Sequence, residues 1–409
     1  MEKKKSDLKN LFQQEFTKMV AVLSNSFGLQ HIELAEDLVS ETFLQAAETW
    51  GIQGMPENPV AWLYTVAKRK TLYHLRRNKI FKTRIAQSIP NLQPYQDFEE
   101  PDFSTQNIKD SQLAMLFAIC TPAIASEAQV GLALRILCGF GINEIAEAFF
   151  TSKETINKRL YRAREKLRTE KVTMELPPEN EIPGRLDNVL HIIYLLFSEG
   201  YYSRTKNEIL RQDLCLEGLR LGLMLTEHEK GNLPKTNALV ALMCFHASRF
   251  SARQTVSDYF VSYEEQNEKL WDVELINQGL YFLNCATQGD EMTSYHIEAQ
   301  IAYWHCLKAD TRDKWNAILQ LYDQLLLINY SPSVVLNRIY TLYKANGREV
   351  ALREAEDLKW ENNHFYFMLL GELYKNTDPE KALASFRQAY TLAKTQTEKK
   401  DIQKKIENI

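Results

Sequence analysis

Apolar residues recur at spacings of three and four along almost the whole chain, and strand-like alternation is rare. The pattern predicts an all-α protein. Three blocks of this periodicity stand apart. The first covers about residues 8–81 and the second about 111–171. Between them, residues 82–110 include QSIPNLQPYQDFEEPDFSTQNIKD, rich in Pro, Asp, Asn and Gln, which reads as a flexible linker. An acidic, Pro-bearing connection, MELPPENEIPG, then opens a third block over residues 180–409.

Two helices of the first block carry charge in an ordered way. In ELAEDLVSETFLQAAETW, Ala35, Leu38, Val39, Phe43, Ala46 and Trp50 form one apolar stripe, while Glu33, Asp37, Glu41 and Glu48 line another face. Like charges four apart cost a helix roughly 0.2–0.5 kcal/mol per pair. Helix stability alone does not favour this row; a partner with a basic surface would, and a solvated acidic face is the plainer alternative. The next helix, NPVAWLYTVAKRKTLYHLRRNKIFKTR, contains eight Lys and Arg and no acid. Val60, Leu63, Tyr64 and Ala67 supply its apolar side. Arg69, Lys70, Tyr73, Arg76 and Arg77 gather cations and one ring on roughly one face, a surface suited to phosphates and to stacking on unpaired bases. Trp62 reads as core.

The second block holds the most specific motif, GINEIAEAFFTSKETINKRLYRAREKLR. Ile145, Ala146 and Phe149 mark a short helix. Thr151 or Ser152 caps a second, with Glu154 placed to complete a capping box after Thr151. Ile156, Leu160, Ala163 and Leu167 form its buried side; Thr155, Lys158, Arg159, Arg162 and Lys166 form a stripe outside. Short helix, tight turn and capped basic helix describe a helix-turn-helix whose second helix enters the major groove.

The third block contains helix pairs. In FYFMLLGELYKNTDPEKALASFRQAYTLA, residues Leu370, Gly371, Tyr374, Ala382, Phe386 and Ala389 follow the tetratricopeptide (TPR) pattern, with a turn one residue short. Small residues at 371 and 382 let two helices approach closely, and Phe386 fills the space between them. Segments near 315–327 and 333–343 look like a looser repeat.

Charge refines this picture. The 409 residues carry a net charge of −4, yet residues 1–171 hold 23 Lys+Arg against 20 Asp+Glu and the remainder 26 against 33. The chain is acidic where the repeats lie and locally basic where the charged helices lie. Six scattered cysteines show no CxxC, which predicts buried thiols in a reducing compartment and no metal site. His246, His296, His305 and Cys306 lack ligand spacing and read as core residues. No export signal, Gly-rich phosphate loop or nucleophile elbow is visible, so the expectation is a cytoplasmic protein with no membrane association, no enzymatic activity and no cofactor.

Taken in order, these motifs resemble an extracytoplasmic-function (ECF) sigma factor of the sigma-70 family. AEDLVSETFLQAAETW resembles region 2.2, NPVAWLYTVAKRKTLYHLRR regions 2.3 and 2.4, and the helix-turn-helix region 4.2; region 3 is missing, as in the ECF group. Lys68, Arg69, Lys70 and Tyr73 depart from the family's usual "ARN…D" pattern. SQLAMLFAICTPAIASEAQVGLALRILCGFGINEIAEAFF, RLDNVLHIIYLLFSEGYYS and SPSVVLNRIYTLYKANG resemble a subgroup with a TPR-like C-terminal extension, which extends the likeness over almost the whole chain.

That resemblance implies two small helical sigma domains followed by a TPR-like domain, and transcription initiation with core RNA polymerase and promoter DNA as partners. Glu33, Asp37, Glu41 and Gln45 would dock on the β′ clamp helices, with the β flap as a further contact. Arg69, Lys70, Tyr73, Arg76 and Arg77, with the loop near 54–59, would hold the opened −10 element. Lys153, Thr155, Asn157, Lys158, Arg159 and Arg162 would read the −35 element. The extension, with a possible protein partner of its own, is the expected regulator. The rival readings are a helix-turn-helix transcription regulator with a repeat sensor and a repeat scaffold.

Overall fold

Helices are the only regular elements among the residues described by the computed structural model, which are 2–86, 100–149, 151–178, 180–201, 212–253, 261, 263–393 and 396–409. Contacts divide the chain into two units, Met1–Ile192 and Ile193–Ile409.

In the first unit, α1 (Glu2–Phe27), α2 (Ile32–Gln53) and α3 (Pro59–Ala86) pack together. The six apolar positions expected on α2 are all buried, as are Leu63 and Ala67 of α3. Gly54 ends α2 at φ 88°, a left-handed conformation that a side chain would strain. Beyond them lie α4 (Thr105–Ile119), α5 (Ser126–Leu132), a π-helical turn (Ala133–Leu137), α6 (Ile142–Ala148) and α7 (Lys153–Thr169).

Met19, Val20, Ala21, Val22 and Leu23 of α1 are all fully buried. One packed face covers only a stripe of a helix, so five consecutive buried residues require neighbours all round. α2 and α3 supply one side, α4 and the π-turn the other. Asn25 Nδ2 donates to Ser111 Oγ at 3.2 Å across the same seam. The two blocks thus share a core.

The stretch read as a linker, 82–110, is helical at both ends. α3 continues through Ala86, and α4 begins at Thr105 because Ser104 caps it, its Oγ accepting from Asn107 N at 3.3 Å. Phe103 stacks on Tyr64 at 4.8 Å, and Glu100 pairs with Lys68 at 3.1 Å. Residues 87–99, the middle of that stretch, lie outside the described residues.

The helix α8 (Ile182–Tyr201) begins in the first unit, where Arg185 Nη2 donates to Phe117 O at 2.7 Å and Asn188 Nδ2 to Gln129 Oε1 at 2.9 Å. The second unit continues with α9 (Gln212–Thr226), α10 (Pro234–Ala247), α11 (Phe250–Arg253), α12 (Val273–Ala286), α13 (Ser294–Trp304), α14 (Arg312–Ile328), α15 (Pro332–Asn346), α16 (Arg348–Leu358), α17 (His364–Tyr374), α18 (Pro379–Leu392) and α19 (Gln396–Glu407). From α12 onward each helix packs on the next, a pattern suggestive of a helical repeat. Gly371 of α17 faces Phe386 of α18, which is fully buried with Ala382 and Ala389. No disulfide joins any of the six cysteines, all of which lie among the described residues. Burial beside Arg249 holds His246 and His305 well below the ordinary imidazole range, His305 down to about 3.

Candidate nucleic-acid interface

The helix-turn-helix segment is built as its capping chemistry requires. Ser152 caps α7, its Oγ accepting from Thr155 N at 3.1 Å. With Ser152 as the cap, the third helical residue is Thr155 rather than Glu154, so the expected capping box does not form. Ile156, Leu160, Ala163 and Leu167 are buried, as are Ile145 and Ala146 of α6. Lys153, Thr155, Asn157, Lys158 and Arg162 are exposed. Arg159 is half-buried, its Nη2 3.0 Å from Glu127 Oε2 and its guanidinium 5.5 Å from the Phe149 ring. Thr155, Lys158, Arg159, Arg162 and Lys166 line one wall of a shallow groove of about 510 Å³; Ala123, Ile124, Ala125 and Ala128 line the other.

On α3, Arg69, Tyr73, Arg76 and Arg77 are exposed, and Tyr73 presents its ring to solvent at 69%. Lys70 lies to one side, with Nζ 3.3 Å from Glu41 Oε2. Trp62 is half-buried and meets Trp50 edge-on at 5.2 Å, at the rim rather than in the core. On α2, Glu33, Asp37, Glu41 and Gln45 form a solvent-facing row, each four residues from the last, beside Leu44, which is 61% exposed.

Sequence reasoning missed Glu36. It sits on the apolar side of α2 between Ala35 and Val39 and is only 6% exposed. Arg164 Nη2 of α7 lies 2.5 Å from its Oε2, and Arg135 Nε of the π-turn lies 3.0 Å from its Oε1. Arg164 Nη1 is also 3.6 Å from Glu33 Oε1. A carboxylate at a core-spaced position is the one signal that could have exposed this cluster, because a buried charge needs a partner.

No helix of the described residues is long and apolar enough to cross a membrane, and no group of three or more potential metal ligands occurs among them.

The sigma-70 region 2 family matches residues 13–80, from within α1 to within α3, and a family of unknown function (DUF6596) matches residues 185–287. Similarity extends along the chain to an uncharacterized protein of Rhizobium meliloti (strain 1021), 29% identical over 388 residues, covering 93% of this chain and 91% of that protein. No solved structure matches. The chain is therefore an all-α protein with a sigma-70 region 2 domain, a type of domain that regulates transcription and performs no catalysis.

Proposed function

We propose that this protein is an RNA polymerase sigma factor of the ECF group, with residues 111–171 as region 4, its helix-turn-helix formed by α6 and α7, and a TPR-like extension as its regulator. The observation that carries the reading is the joint presence, in one unit, of a region 2 match whose α3 exposes Arg69, Tyr73, Arg76 and Arg77 and of a capped basic helix following a tight turn. The row Glu33, Asp37, Glu41 and Gln45 docks on the β′ clamp helices, and region 4 meets the β flap. Residues early in α7 (Lys153, Thr155, Asn157, Lys158, Arg159 and Arg162) read the −35 duplex. The α3 face, Lys70 included, takes the unpaired −10 strand.

No covalent step falls to this chain. Extruding a base costs a few kcal/mol, and ring stacking together with cations along the phosphates offsets that cost. Run-off transcription with purified core polymerase, on promoters recovered by the protein, tests the reading. Initiation that depends on this chain at defined sites is expected. Binding to DNA without co-purification or stimulation of core would replace it with an ordinary helix-turn-helix regulator.

A further inference from the structure

We infer that a polar, uncharged cleft in the second unit, between the α9–α10 connection and α12, binds a small neutral molecule whose edge carries a carbonyl beside an N–H, as a lactam does. The inference concerns the second unit alone and does not depend on the sigma-factor reading. Where both hold, this ligand is the signal that the extension reads.

The cleft holds about 530 Å³, within the range of small-molecule sites. Asn232 and Asn237 belong to one wall, and Tyr281, Cys285 and Gln288 to the other. Every described residue that lines it is uncharged. A quarter of the chain is charged, yet the sequence from Leu275 to Gly289 contains no Asp, Glu, Lys or Arg. A charged ligand would lose its hydration here and gain no counter-ion, so the occupant is neutral. The walls are held firmly. A Cβ at Gly279 would stand 2.6 Å from Phe245 Cε1, and one at Gly289 would stand 2.9 Å from Pro234 Cγ. α12 and the turn after it are thus pressed against α10 at two points, and the cleft exists before anything binds. Residues 185–287, the span matched by the family of unknown function, include each residue named in the two walls except Gln288.

Hydrogen bonding in the first wall fixes what the ligand must offer. Asn237 is only 5% exposed, and its Nδ2 donates to Leu233 O at 3.0 Å and to Asn232 Oδ1 at 2.8 Å. A peptide carbonyl can only accept, so the first bond sets which way the Asn237 amide is turned, and the second sets Asn232. With its N–H groups spent, Asn237 offers the cleft its carbonyl Oδ1. Asn232, whose Oδ1 is engaged, offers the N–H groups of Nδ2. An acceptor and a donor held side by side match the N–H and the C=O of one amide edge. On the other wall the Tyr281 ring is 64% exposed, which gives a planar ligand a face to lie against. That ring meets Phe282 edge-on at 5.2 Å, and its hydroxyl bonds the Cys285 thiol.

Alkylation of the full chain by iodoacetamide, followed cysteine by cysteine with mass spectrometry, tests this with uracil as the probe. Cys285 lines the cleft and is half-buried; Cys138 is half-buried in the first unit and serves as the reference. Uracil should slow alkylation of Cys285 several-fold and leave Cys138 unchanged, with half the effect at about 1–10 mM, as suits so small a ligand. N,N′-dimethyluracil, which lacks the N–H, and orotate, which adds a carboxylate, should each protect about tenfold more weakly. Asn232→Asp keeps the acceptor for Asn237 but removes the donors, and should weaken protection by uracil about tenfold as well. No protection of Cys285 at about 20 mM uracil, equal protection by either analogue, or equal slowing of both cysteines overturns the inference. If Asn232→Asp loses its helical circular dichroism, the contrast among the three ligands on wild type decides. Polymerase takes no part in the assay, so its outcome is separate from that of run-off transcription.

Discussion

Arg164 Nη2 lies 2.5 Å from Glu36 Oε2, joining residues 128 apart in sequence, while Arg159, five positions earlier on the same helix, reaches Glu127 and faces the groove. Two arginines of one helix thus do different work. Arg159→Ala should weaken binding to a −35 duplex by about 1–3 kcal/mol while core association stays intact. Arg164→Ala should leave short-duplex affinity nearly unchanged and destabilise the first unit by roughly 2–5 kcal/mol, because it removes a partner of a buried carboxylate. Duplex titration and thermal unfolding of both variants separate the roles. Loss of core association in Arg159→Ala would mean that α7 has been misassigned.

The apolar stripes were legible because a helix repeats every 3.6 residues, and burial follows that period wherever one face packs. Ala35 to Trp50 on α2 and Ile156 to Leu167 on α7 are buried as their spacing required. The fold class and the exposed cation rows follow from the same rule. What stayed hidden depends on contacts between distant segments. Nothing near Glu36 in sequence announces Arg164, and nothing in the second block announces that it shares a core with α1. The beginning of α4 was missed because the polar residues before Ser111 look like linker, although Ser104 supplies a cap. The joint placement of Arg185 and Asn188 against α4 and α5 was equally invisible, since an acidic, Pro-bearing stretch separates them from the helix-turn-helix.

Asn188 makes that last contact testable. Its Nδ2 donates to Gln129 Oε1 at 2.9 Å and also to Cys120 O, while Gln129, 1% exposed, donates from Nε2 to Thr121 O at 2.8 Å. Asn188→Ala leaves buried acceptors without their donor, at a cost of about 1–3 kcal/mol. A lower unfolding midpoint for the first unit is expected. A fragment ending at Lys171 should show the same weakness, since it lacks both Arg185 and Asn188. Equal stability of that fragment and of one ending after α8 would show that the helix adds nothing to the first unit.

Gly371 tests the helix pair in the second unit. A Cβ placed there would stand 2.6 Å from Cε1 of Phe386, whose ring is fully buried and has no room to retreat. Gly371→Ala should destabilise the second unit by about 1–3 kcal/mol through overpacking, and Phe386→Leu in the same chain should recover part of the loss. The two changes therefore combine non-additively, which a double-mutant cycle on thermal unfolding measures. Additive losses would place the strain elsewhere.

Glu298 gives the second unit a dependence on pH whose sign can be derived. Burial pushes its carboxyl up to about 7, although a hydrogen bond donated by Tyr194 at 3.2 Å pulls the other way. In the unfolded chain the same group ionises near its ordinary value of about 4.3. Between those two values the folded state keeps a proton that the unfolded state has lost, so stability falls as pH rises through this window and levels off above it. The loss amounts to roughly 2–4 kcal/mol, or several degrees in the unfolding midpoint. The buried imidazoles of His246, His296 and His305 act in the opposite direction, because their lowered values make the fold weaker at acid pH. The difference between wild type and Glu298→Gln isolates the carboxylate. Its glutamine keeps an acceptor for Tyr194 but carries no charge, so the variant should gain on wild type from pH 5 to pH 8. Parallel curves for the two proteins across that range would show that Glu298 ionises in the fold as it does in water.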